Sequence, residues 1–152
     1  MRSEGLRVRW RSVPRWARWV SAGYLVGFLE GGCAHLFDLL RGGIHVYAPF
    51  AAVPWQVFFV GLVVLDPLVA VLVAGMRPAG VWLAGAVMAA DVVANWVVDW
   101  QWVREDPGWA LRPVGLLPIT LFGVFVLVTC VPLARSLESG GRVRAGVGSV
   151  PG

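Results

Sequence analysis

The 152-residue chain has no lysine: all thirteen of its cationic side chains are arginine. Charged residues of either sign make up only 14% of it, against 58% hydrophobic residues, and the mean hydropathy is +0.71. So little polar surface cannot cover a water-soluble globule, and the soluble classes are excluded. An all-arginine basic set beside frequent Ala, Gly and Val is what a GC-rich coding bias produces. The net charge of +4 therefore does not point to a nucleic-acid partner, and none is expected.

Other absences narrow the class further. Cys33 and Cys130 lie at different depths and form neither a CxxC pair nor a metal-type spacing, so no disulfide is expected. The acids and histidines lack close His or Cys pairs with a recognisable ligand spacing, so no metal and no other cofactor is assigned. Strand-like alternation is missing, which argues against a closed barrel. No internal repeat divides the chain. The first apolar run continues to Leu40 without an A-x-A-like site, so it reads as a membrane span and not as a removable signal. In LEGGC, residues 29–33, Glu30 stands where a lipoprotein motif requires an aliphatic residue, so lipidation of Cys33 is not expected.

What the chain does contain is four apolar runs, residues 16–40, 55–76, 79–102 and 114–135, each long enough to cross a bilayer as a helix of roughly 20 residues. Pro- and Gly-rich breaks separate them at 41–54, 77–80 and 104–113. The expected fold is all-α, an integral membrane four-helix bundle over residues 16–136, flanked by a basic tail at 1–15 and a flexible one at 137–152. Arg2, Arg7, Arg9, Arg11, Arg15, Arg18, Arg77, Arg135, Arg142 and Arg144 fall on one side of the membrane, and only Arg41, Arg104 and Arg112 on the other. The positive-inside bias then places both termini in the cytoplasm of a multi-pass cell-membrane protein, with a bacterial inner membrane as the expected setting. Most tryptophans sit near the predicted interfaces; Trp96 lies more than a turn inside the third span.

The midpoints of the first three spans fall near residues 28, 66 and 91, which puts Glu30, Asp66 and Asp91 close to the bilayer centre. Each acid costs about 2.5–3.5 kcal/mol there if it faces lipid alone, so the three are expected to face one another. At about 100° per residue, Glu30, His35 and Asp38 share one side of the first span, and Asp91, Asn95 and Asp99 drift across one face of the third. Gly23, Gly27 and Gly31 lie on the side of the first span that carries its acids. They leave room for a neighbouring helix or a ligand.

Polar residues are unevenly divided. His35, Asp38, Gln56, Asn95 and Asp99 lie outward of the central acids, whereas inward only Ser21, Tyr24, Thr129 and Cys130 interrupt the apolar sequence. This pattern describes a funnel open to the outer side with Glu30, Asp66 and Asp91 at its floor, capped by the loop carrying His45 and Tyr47. A channel or pump needs polar groups along its whole path, so transport is disfavoured.

The fragments HLFD (35–38), LVVLDPLVA (62–70) and LLPITLFGVFVLVTCVPLARSL (116–137) resemble, in arrangement, the EXPERA superfamily of sterol isomerases and the sigma-2 receptor. The resemblance covers residues 16–137 and implies a four-helix membrane fold with a lipophilic ligand. The chain departs from the family at the second span, where Gly61 stands near the position of a family Glu and Asp66 adjoins Pro67. No catalytic residue is transferred from the family.

The chemistry expected of such a site is proton transfer from a carboxylic acid to an alkene of an isoprenoid-like lipid, giving isomerisation or cyclisation. Glu30 or Asp91 would donate the proton, His35 assist its return and Asp66 tune the pair. Asp38, Asn95, Trp96 and Asp99 would line the substrate, with the Trp96 ring beside the developing cation. Two alternatives remain open: a non-catalytic binder of a membrane lipid or amphiphilic amine, and a subunit of a membrane complex. The expected partners are a lipophilic small molecule, membrane lipid and further copies of the chain as a homo-oligomer.

Overall fold

The computed structural model describes residues 9–49, 51–112 and 115–147. Arg2 and Arg7 of the expected basic tail and residues 148–152 of the expected C-terminal tail lie outside the described residues. The four apolar runs form four long helices: α1 (Arg15–Gly42), α2 (Val53–Ala74), α3 (Pro78–Glu105) and α4 (Leu116–Val147), with a short 3-10 helix at Pro107–Leu111. Among the described residues there is no strand.

Helix ends follow local chemistry. Proline stands at the first turn of α2 and of α3, where its missing N–H costs nothing. At the far end of α1, Gly43 takes φ +70°, which a side chain disfavours, and its N–H bonds to the carbonyl of Leu39. The α2–α3 turn is tight: Met76 N–H bonds to Val73 O and Arg77 N–H to Leu72 O. Asp106 closes the start of the 3-10 helix by accepting from Gly108 N–H at 2.9 Å. Pro67 inside α2 and Pro132 inside α4 each remove one rung of the helical ladder.

Three helices are long and apolar enough to cross a membrane: Val53–Ala74, Pro78–Glu105 and the Leu116–Ser139 part of α4. This differs from the four expected spans. At 28 residues α1 is long enough, but Glu30, His35, Asp38, its glycines and its tyrosine dilute its apolar content. The exterior fits a membrane: Val26, Val57, Val64, Val71, Leu121 and Val128 all point outward. An apolar surface of that extent is not tolerated in water.

Helix α1 packs along α2, α3 along α4, and α2 on α3, while α1 and α4 touch less. Val69 and Val73 of α2, Val81 of α3 and Val126 and Leu133 of α4 are fully buried in the core. Residues 9–14 of the expected basic tail fold back across the end of α2. Trp10 Nε1 donates to Ala74 O at 3.0 Å and Arg9 Nη1 to Gly75 O at 3.1 Å. These bonds satisfy carbonyls that a helix terminus leaves unpaired, and the arginine matches the negative end of the helix dipole. The helix of α4 likewise continues past residue 136 to Val147. Below, the end of the molecule with residues 75–77 is the turn end, and the end with residues 43–52 is the loop end.

Candidate functional site

Two of the three central acids are buried on neighbouring, packed helices. Asp66 of α2 and Asp91 of α3 are 5% and 7% exposed and close enough to repel one another. Asp66 is seated by glycine: its Oδ2 lies 3.0 Å, and its Cβ 3.3 Å, from where side chains on Gly31 and Gly32 would begin. Gly32 also receives the Pro67 ring, so this stretch of α2 presses directly on the α1 backbone. Asp91 is held differently. Asn95, one turn on, donates from Nδ2 to Asp91 Oδ1 at 2.9 Å and to the Asp91 carbonyl at 2.8 Å. Among the described residues no arginine pairs with either acid, and none hydrogen-bonds Asp66.

Toward the loop end a second group assembles around Tyr47, which the chain returns over α1 after the Gly43 break. The Tyr47 hydroxyl lies 2.9 Å from His35 Nδ1 and donates to Asp38 Oδ2 at 3.3 Å. Burial, then the neighbouring Asp38 carboxylate, push the phenol well above its ordinary value of 10, and Asp91 adds to the shift. Tyr47 therefore keeps its proton. Its interaction with Asp91 also places the two polar groups within electrostatic reach of each other. Phe59 closes the side of this group, stacked on His35 with ring centres 6.1 Å apart and tilted against Tyr47 at 5.2 Å. A groove of about 310 Å³ lies beyond it at the loop end, between Ala52 and Trp55 of the α2 start and Val98, Trp100 and Gln101 of α3.

Several expected site residues are placed elsewhere. Glu30 is exposed on the outward face of α1, so the three-acid floor is a two-acid one. The buried side of α1 is the stripe Ala17, Ser21, Tyr24, Phe28 and Gly32, and Glu30 lies about 160° around the helix from its centre. Trp96 is turned to α4, where its Nε1 donates to Thr120 Oγ1 at 2.9 Å, which removes it from the acids. Asp99 sits near the loop end, within electrostatic reach of the Trp109 indole. Gln56 bonds the Ala51 carbonyl, and His45 is exposed. Gly23 and Gly27 leave no ligand space, because the rings of Phe125 and Phe122 fill it.

Tyr47 was expected only as part of a capping loop, and Phe59 was not among the expected site residues. The short Gly43–Ala52 connection is the signal for Tyr47, since so few residues must fold back over the end of α1. Phe59 gave no such signal. Below the acids, Tyr24 and Phe28 of α1 pack edge to face on Phe125 and Phe122 of α4 and fill the turn-end half. Among the described residues, no three His, Cys, Asp or Glu side chains converge as a metal site would require.

No protein-family model, curated protein or solved structure matches the chain. Fold and site define an all-helical protein with three membrane-capable helices and a buried pair of carboxyl groups beside a His–Tyr–Asp group. The EXPERA resemblance gains nothing from these comparisons.

Proposed function

We propose that all four helices cross the bilayer, with both termini cytoplasmic, and that the Asp66–Asp91 pair opens to the outer side and handles protons on a lipophilic small molecule. The activity the donor set supports best is acid–base isomerisation or cyclisation of an isoprenoid-like lipid. One observation carries this reading: two carboxyl groups on packed helices, α2 and α3, are both buried, with no basic residue paired to either among the described residues. In a low-dielectric interior such a pair needs a positive centre, supplied by a proton or by a cation on the substrate. The arginine distribution supports the orientation, since Arg9, Arg11, Arg15, Arg18, Arg77 and Arg135 cluster toward the turn end.

In the proposed reaction the O–H bond of the Asp91 carboxylic acid breaks, and its proton forms a C–H bond with one carbon of the alkene. The other carbon becomes a carbocation facing the carboxylates. Loss of a proton from the adjacent carbon to a carboxylate restores the acid and shifts the double bond; attack by a second alkene instead closes a ring and moves the cation onto that alkene's other carbon, whose neighbour then loses a proton to a carboxylate and restores the acid. Neither outcome needs a redox partner. Tyr47, between His35 and Asp38 and near Asp91, is positioned to pass protons toward the loop end.

The test is deuterium uptake. Purified protein incubated with extracted membrane lipids in D₂O should place deuterium on carbon in an apolar lipid, and folded Asp91→Asn should do so at least about 100-fold more slowly. Equal uptake by Asp91→Asn, or none by the parent, overturns the catalytic reading. A second reading uses the same unpaired acids to hold the ammonium of a lipophilic amine, with Trp55 and Trp100 lining its approach. An amine that binds the parent but not Asp91→Asn, and is recovered unchanged without deuterium uptake, favours that reading.

A further inference from the structure

The outward face of α1 presents a regular stripe: Trp19, Val26, Glu30, Cys33, Phe37 and Leu40. Trp19, Val26, Phe37 and Leu40 are 78%, 66%, 52% and 77% exposed, and Glu30 and Cys33 are exposed with them. From Val26 onward the spacing alternates four and three residues, the repeat that keeps one seam of a helix against a parallel neighbour in a left-handed pair. Glu30 sits at the middle of that seam and has no hydrogen bond or ion pair among the described residues. If α1 crosses the bilayer, as proposed above, a carboxyl group at this depth facing lipid costs about 2.5–3.5 kcal/mol.

We infer that this face is the dimer interface of the protein, covered by α1 of a second copy with Glu30 bonded to its own counterpart. The occupant follows from the chemistry of the group. A carboxyl that carries its proton is both donor and acceptor, so one Glu30 satisfies another without any basic partner. Two copies inserted in one membrane with the same orientation run parallel, and a two-fold axis along the membrane normal brings each residue opposite itself at the same depth. Cys33 and Ala34, one turn along, are small enough to let the two backbones approach. Lipid offers no hydrogen-bond partner at this level. The site with Asp66 and Asp91 lies on the opposite side of α1 and stays open in such a dimer.

Cys33 is a native reporter, because Cys130 is buried. Full-length protein in native membranes, treated with copper phenanthroline, should form a disulfide-linked dimer that Cys33→Ser abolishes. Glu30→Gln, whose amide also donates and accepts, should retain it. Glu30→Leu should reduce it at least ten-fold, since leucine packs no better against leucine than against lipid. A membrane-impermeant maleimide should leave Cys33 unlabelled in intact membranes. No cross-link from a shielded Cys33, an undiminished cross-link in Glu30→Leu, or a cross-link to a different protein overturns the dimer while leaving the spanning of α1 intact. Ready maleimide labelling of Cys33 overturns the spanning of α1, and the dimer with it.

Discussion

The two halves of the molecule use their polar atoms in opposite ways. In the turn-end half they close on nearby backbone: Tyr24 donates to Val126 O at 2.7 Å, Thr129 to Phe125 O at 2.6 Å and Cys130 to Val81 O at 3.3 Å, among aromatic rings that fill the space between α1 and α4. In the loop-end half they bond mainly to other side chains, as the His35–Tyr47–Asp38 group and the Asp91–Asn95 pair, and Asp66 has no hydrogen bond among the described residues. Stability and chemistry are thereby separated along the helix axis. The turn end holds the four helices together, and the loop end carries uncompensated groups that a packed core would not retain for stability alone.

The largest effect that tests this division lies at the α2–α3 turn. A Cβ on Gly80 would begin 2.8 Å from the Leu72 carbonyl carbon and 2.9 Å from Val73 N, so the obstacle is backbone that has no rotamer to change. Gly80→Val should cost about 3 kcal/mol, read as a fall in the thermal unfolding midpoint in detergent. A variant as stable as the parent would show that the turn end is not the rigid half.

The opposite sign is expected one helix end away. Asp66→Asn keeps the shape of a buried side chain, removes its repulsion with Asp91 and supplies an amide donor. It should raise stability by about 1 kcal/mol while abolishing deuterium uptake. A loss as large as that of Gly80→Val would make Asp66 part of the structural core and dissolve the distinction between the halves.

How far the sequence reaches differs between these halves as well. The helices themselves were legible, because apolar runs bounded by Pro and Gly leave few other folds: the expected 55–76 and 79–102 appear as Val53–Ala74 and Pro78–Glu105. Asp66 and Asp91 were legible from depth alone. Glu30 was not, because helical periodicity tells which residues share a side but not which side faces inward. The deciding pattern was Ala17, Ser21, Tyr24, Phe28 and Gly32, small and aromatic residues spaced to receive a neighbouring helix. Trp96 misled for a related reason: its depth said nothing about Thr120, 24 residues away in α4, which claims its indole N–H. Partners on other helices are set by packing, and a single sequence does not print them.

The smallest effect sharpens the comparison most. Ser21 is fully buried on the inward face of α1, and its hydroxyl has no protein partner, which makes it the exception in a half whose other polar atoms are satisfied. If that half is dry and held by packing, removing the oxygen discards an uncompensated polar atom and leaves a methyl of nearly the same size. Ser21→Ala should then leave the unfolding midpoint unchanged or raise stability by up to about 0.5 kcal/mol. A loss above about 1 kcal/mol would mean that the hydroxyl bonds a buried water. The turn end would then be wetter than its aromatic packing implies, and the polar path would extend beyond the two acids through that half, reopening the transport reading that the distribution of polar residues disfavours.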